Sequence, residues 1–263
     1  MSKKYVYAFG LMASVCVWAV PGAAEECSNR GELDTQYCDE NNDLVADAPK
    51  SEEDWRAPDT LVWAYSPVED PAIYANAFKP FTDYLEACLD KRIVYYPVQS
   101  NAAEIEAMRS GRLHFAGFST GPTGFAVNLA GAVPFASKAK DGVAQNYNLI
   151  AVVRADSEFQ TLGDLKGKRV AHTSPSSNSG NLAPIALFPA EGLDPKTDYT
   201  PLMSGGHDKS ILGLTNGDYD MIAIADDILE RMIARGDVNA EDYRIIYTSP
   251  DFPTSSFAYS NTL

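Results

Sequence analysis

The sequence predicts an α/β protein of two lobes. Three observations carry that reading. Short β-rich runs alternate with helix-like runs from residue 60 onward, which implies parallel sheets with helices on both faces. The alternation falls into two groups, joined through long β runs near residues 147–155 and 243–249, so the chain crosses between lobes twice. Turns rich in small polar residues follow several of the strands, where parallel sheets place their ligands.

The elements follow in order. "TLVWAYS" (60–66) reads as a strand, and "IYANAFKPFTDYLEACL" (73–89) as an amphipathic helix with Pro80 near its middle or at a helix start. "IVYYPV" (93–98) is a second strand, and "NAAEIEAMRSG" (101–111) a helix closed by glycine. "LHFAGFS" (113–119) is a third strand, and "TGPTGFAVNLA" (120–130) a turn entering a helix. "YNLIAVVRA" (147–155) is a long β run, and "TLGDLKGKRVAHT" (161–173) a short helix with another strand. A helix at 182–191, an extended piece at 199–203 and a helix after "SGGHDKS" (204–210) come next. The strand "YDMIAIA" (219–225), the helix "DDILERMIARG" (226–236) and the strand "YRIIYTS" (243–249) complete the second group. The expected boundaries are 60–148 for lobe 1, 149–247 for lobe 2 and 248–263 for a return to lobe 1.

Residues 1–24 read as a secretory signal: Lys3 and Lys4, an apolar run from Tyr5 to Val20, and Gly22-Ala23-Ala24 for cleavage. The expected protein is therefore exported. Its net charge of −15 becomes −17 without the signal, which argues against nucleic acid or an anionic membrane surface as a partner. Residues 25–59 form an acidic extension with 12 acids and 3 bases. Within it, Cys27 and Cys38 suit a disulfide in an oxidising compartment, whereas Cys88 reads as a buried free thiol. Asp39, Asn41, Asp43 and Asp47 have the spacing of short acidic calcium loops. The match is incomplete, since Leu44 and Lys50 replace a turn glycine and a bidentate glutamate, and a solvated acidic arm is the simpler reading. No other cofactor is implied.

Four turns stand at expected strand ends: Tyr65-Ser66, Phe118-Ser119-Thr120, Ser176 to Gly180, and Gly206-His207. None contains a lysine or arginine. The stretch "SPSSNSGN" (174–181) has more hydroxyls than one helix cap needs, and a helix start adds unpaired N–H groups and a positive dipole end. Ser177, Asn178 and Ser179 thus form a candidate cup for a compact anion, built from neutral dipoles.

The serine-rich segment "SSNSGNLAP", together with "EAMRSGRLHFAGFSTGP", "TLGDLKGKRVA", "SGGHDKSILGLTNGDYDMIAIADD" and "IIYTSPDFP" in that family's order, resembles the phosphonate/phosphite-binding proteins of ABC transporters, the PhnD-like family, over roughly residues 60 to 256. The resemblance implies the type II periplasmic-binding-protein fold, a monomer that clamps its ligand between lobes and docks on a permease at the inner membrane. It implies that Ser177, Asn178 and Ser179 bind the oxyanion and that His207 meets the same head. Asp227, or its neighbour Asp226, falls where an acid can meet a ligand amine or a protonated P–OH. Phe118, Asn101 and Ser255 depart from the aminoalkylphosphonate-binding pattern, which favours phosphite, methylphosphonate or phosphate. Ser119, Thr120 and Tyr65 are further candidate contacts, Tyr95 and Tyr96 candidate wall residues, and Phe118 an apolar wall for P–H or P–CH3. His114 and His172 read as structural. A carboxylate in the site suits a P–OH donor and would repel a fully ionised phosphate.

Two other classes are open. A sensor could keep the same clamp and signal to a different partner. A hydrolase would need Ser177 or Ser179 activated by His207, yet no G-x-S-x-G elbow or metal-ligand spacing accompanies them. The family pattern continues beyond "SSFAYSNTL", so the reading expects a first lobe that lacks part of its C-terminal portion.

Overall fold

A computed structural model describes residues 27–263; the signal segment read at 1–24 lies outside the described residues. The first lobe begins with strand β1 (Thr60–Tyr65), helix α1 (Pro71–Ala77), helix α2 (Lys79–Leu89), strand β2 (Arg92–Tyr95) and helix α3 (Asn101–Arg109). Strand β3 (Phe115–Phe118), helix α4 (Thr120–Ala130) and strand β4 (Ala132–Ser137) follow. The run expected as one helix at 73–89 is two. Pro80 stands in the first turn of α2, where its missing N–H costs nothing, and Phe78 is the joint.

Short strands β5 (Ala139–Lys140), β6 (Val143–Ala144) and β7 (Asn146–Tyr147) carry the chain across. The second lobe holds β8 (Leu149–Arg154), β9 (Val170–His172), a π-helical turn Asn178–Leu182 leading into α5 (Ala183–Leu187), and β10 (Leu202–Met203). It continues with α6 (His207–Thr215), β11 (Met221–Ala225), α7 (Asp226–Arg235) and β12 (Tyr243–Thr248). The chain then returns through β13 (Phe252–Pro253) to β14 (Ser256–Ser260).

Both lobes have the same five-stranded plan, β2-β1-β3-β14-β4 and β10-β9-β11-β8-β12. In each, three parallel strands stand beside an antiparallel strand that enters from the crossing: β14 against β3, and β8 against β11. The two crossings pair with one another, Tyr147 opposite Phe252 and Asn146 opposite Pro253, and form the hinge. Buried apolar residues fill the helix–sheet layers. Trp63 is fully buried in the first lobe, stacked on Phe115 and edge-on to Phe78, Phe81 and Tyr95. In the second lobe β8 and β11 are buried along almost their whole length, as parallel-type sheets covered on both faces require.

The acidic extension is docked and not free. Leu33 and Ala46 are buried, the amide of Asp34 donates to the Asn128 carbonyl, and Arg56 N donates to Thr262 O. Cys27 and Cys38 form a disulfide. Cys88 is exposed, contrary to expectation, because it faces outward on α2. The side chains read as calcium ligands turn to protein donors: Asp39 accepts from the amides of Asp43 and Leu44, Asn41 from that of Asp43, Asp43 from that of Val45, and Asp47 from that of Glu40. Among the described residues no group of three or more His, Cys, Asp or Glu side chains could hold a metal ion.

Candidate functional site: an interlobe anion cleft

The carboxyl ends of β1, β3, β9, β10 and β11 all open on one cleft between the lobes. On the second-lobe side, the chain leaves β9 and turns back on itself before the π-helical turn. Gly180 makes that turn possible: its carbonyl accepts from Thr173 N, and a Cβ there would collide with the Thr173 side chain. The Gly180 amide donates to Ser177 Oγ at 3.1 Å, which leaves the Ser177 hydroxyl proton free to donate. Ser177 is buried and lies 3.5 Å from Nε2 of buried His207, the first residue of α6.

The state of His207 follows from its partners. Burial lowers its pKa to about 4, so the ring is neutral at physiological pH. Ala225 N donates to Nδ1 at 3.1 Å, so the neutral ring carries its proton on Nε2. Ser177 and His207 therefore present an O–H and an N–H to one point. Two convergent donors of this kind suit an oxyanion. They do not suit activation of a serine, since Nε2 has no lone pair for the Ser177 proton and Nδ1 is held by a backbone amide in place of a carboxylate.

The other second-lobe residues divide. Asn178 lines the cleft and donates to Tyr147 Oη at 2.9 Å, and Ser179 lines it as well. Asp227 also lines the cleft, yet it is paired with Arg231 at 2.7 Å. Asp226 does not line it. Its carboxylate accepts from Asn148 N and Asp227 N, which fastens α7 to the hinge.

On the first-lobe side, Tyr65, Asn101, Ser119 and Thr120 line the cleft as expected. Ser119 N is held by Ser66 Oγ, and Thr120 Oγ1 donates to Pro253 O in the hinge. Asn101 Nδ2 reaches across the cleft to Ser176 Oγ at 3.1 Å and to Ser174 Oγ at 3.4 Å. Phe118 is corrected: all four residues of β3 are buried, and its ring packs in the core with Met108, Ala126 and Ala130. Pro67, Val68 and Ile228 supply apolar lining instead. Tyr95 packs against Trp63, Tyr96 is exposed, and neither lines the cleft. His114 and His172 are structural: His114 Nδ1 accepts from Val62 N, and His172 bonds Asn181 and Tyr199.

Cations do line the cleft, contrary to the expectation of neutral donors alone. Lys138 and Arg231 were missed, together with Tyr147 and Thr173, whose Oγ1 is buried without a partner. Lys138 sits past the end of β4 and Tyr147 in the hinge, so neither belongs to a strand-end turn. Arg231 carried one signal, its i,i+4 spacing from Asp227 on α7.

Residues 63–263 match the family model of the periplasmic substrate-binding protein of phosphonate ABC transporters. The chain belongs to that family. It is 29% identical to the phosphate-import protein PhnD of Mycolicibacterium smegmatis over 231 residues, 83% of this chain and 71% of the relative. A binding component of an ABC phosphonate transporter from Pseudomonas aeruginosa shares the fold with a TM-score of 0.71 at 20% identity, over 78% of this chain and 69% of that one. PhnD1 of Prochlorococcus marinus, solved with methylphosphonate, gives 0.68 at 20% identity over 78% of each chain. As a phosphonate-type substrate-binding protein, the chain has the type II architecture, with the cleft described above between its lobes.

Proposed function

We propose that this phosphonate-type substrate-binding protein captures a compact phosphorus oxyanion (phosphonate, phosphite or phosphate) and delivers it to an ABC permease. The single observation that carries the ligand class is the convergence of Ser177 Oγ–H and His207 Nε2–H, 3.5 Å apart and both buried, at the floor of the interlobe cleft. A small oxyanion placed there accepts from both, with Ser179 and the first amides of the helical turn as further donors. The protein acts as a monomer after export to the periplasm, a location supported by the family and by the disulfide. No helix among the described residues is long and apolar enough to cross a membrane. The chemistry is binding, not turnover, because His207 donates at Nε2.

Arg231 changes which ligands fit. It pairs with Asp227, so the cleft carboxylate is compensated and need not repel an ionised phosphate. Closure supplies the signal to the permease: the lobes shut on the ligand through hinge motion at β7 and β13. The test is isothermal titration calorimetry with phosphite, methylphosphonate, phosphate and sulfate against wild type, Ser177→Ala and His207→Ala. The reading expects one phosphorus oxyanion to bind tightly and each substitution to weaken it by about tenfold or more. A folded wild type that binds none of them contradicts it.

A further inference from the structure

The cleft's charges do not balance, and the imbalance sits on one residue. Arg231 is answered by Asp227 at 2.7 Å and by Glu69 at 3.0 Å. Lys138 has no such answer: among the described residues no carboxylate lies within 4.0 Å of its Nζ. Its ammonium is instead held by neutral groups. Nζ donates to Tyr65 Oη at 3.1 Å and lies 5.7 Å from the centroid of the Tyr65 ring. Since an ammonium only donates, the Tyr65 oxygen accepts from it, and the phenol proton goes to Ser255 Oγ at 2.8 Å. Lys138, Tyr65 and Ser255 all line the cleft. Such a chain fixes the ammonium in place and leaves two of its three N–H bonds for something else.

We propose that Lys138 is a specificity-determining residue: its uncompensated charge favours phosphorus oxyanions with neutral or anionic substituents and excludes those that carry an ammonium group. This inference rests on the phosphorus-oxyanion reading above. The physical basis is like-charge exclusion. An aminoalkyl group in this cleft would bring a second cation beside Lys138, while the one carboxylate lining the site, Asp227, is already engaged by Arg231. Ser255 offers no carboxylate at the Lys138 end.

The test separates charge from size and from folding. Calorimetry compares 2-aminoethylphosphonate with propylphosphonate, which has nearly the same shape with a methyl in place of the ammonium. Proteins are wild type, Lys138→Met and Lys138→Arg, with phosphate as a further ligand. Wild type is expected to prefer propylphosphonate by about tenfold or more, Lys138→Met to lose that preference, and Lys138→Arg to restore it. A merely structural lysine would shift both affinities by the same factor and keep their ratio. That result, or a wild type that prefers the amine, overturns the inference. If Lys138→Met does not fold, Lys138→Gln takes its place as the uncharged variant, with the same two outcomes. A wild type silent toward all phosphorus ligands refutes the phosphorus reading itself.

Discussion

Glu69 and Arg231 join the two lobes: Oε1 of the first-lobe carboxylate lies 3.0 Å from the guanidinium on α7. The same carboxylate reaches Arg235 through Oε2 at 2.8 Å, and its side chain is 1% exposed. Asp227, Arg231 and Arg235 repeat at i, i+4 and i+8, so one stripe of α7 faces the cleft at one end and Glu69 further along. Burial opposes the charge of Arg231, and Asp227 and Glu69 more than restore it. Because the pair spans the two lobes, opening the clamp at the hinge would part it. Glu69→Gln is expected to weaken ligand binding by about tenfold, by making the closed state harder to reach. Small-angle scattering with saturating ligand would show a larger radius of gyration than wild type. An unchanged radius and affinity would remove Glu69 from closure.

Gly121 marks a second closure contact. A Cβ at this position would strike the Ser176 carbonyl and the Asn178 amide, main-chain atoms of the other lobe that cannot swing aside. Gly121→Ala is expected to leave the unliganded fold intact, since alanine favours the helix. Affinity should fall by about tenfold or more because the lobes stop short. Melting temperature and calorimetry together check this. An alanine variant that binds like wild type would mean that the lobes need not approach so closely.

Glu104 carries a pH signature. Its carboxyl is fully buried on α3 and pushed up to about 8 by that burial, although the bond from Ser66 pulls the other way. The folded state keeps its proton while the unfolded state releases it from about pH 4.5 upward. Stability from this group is therefore present at low pH and lost as pH rises from about 4.5 through about 8. Glu104→Gln should flatten that fall and be the more stable protein at the alkaline end in urea unfolding. Parallel stability–pH curves for the two proteins would contradict the assignment.

His207 has the opposite sign. Its folded pKa is lowered from 6.5 to about 4, so its contribution is present above about 6.5 and is lost as pH falls toward 4. His207→Gln should lose less stability than wild type on acidification across that window, again by urea unfolding. Equal losses would mean that the ring is not held neutral.

Much of this was legible in the sequence, for a local reason. Strand, polar turn and helix are short-range patterns, and a parallel strand's carboxyl end is where its turn must be; Ser177, Ser179, His207, Ser119 and Tyr65 were found that way. What was missed depends on orientation or on distance along the chain. Asp226 and Asp227 differ by one helical step, about 100° of rotation, which turns one to the hinge and the other to the cleft. Phe118 lies in a strand covered on both faces, so alternation could not say which way its ring points. Glu69 meets Arg231 across 162 residues, and Lys138 meets Tyr65 across 73, separations at which no local periodicity operates.

The most direct measurement is a crystal structure of the protein grown with methylphosphonate or phosphate. The account predicts one phosphorus atom between the lobes, with oxygens within hydrogen-bond distance of Ser177 Oγ and His207 Nε2, and the Glu69–Arg231 pair closed. Phosphorus bound elsewhere, or His207 Nε2 turned away from it, would contradict the central claim.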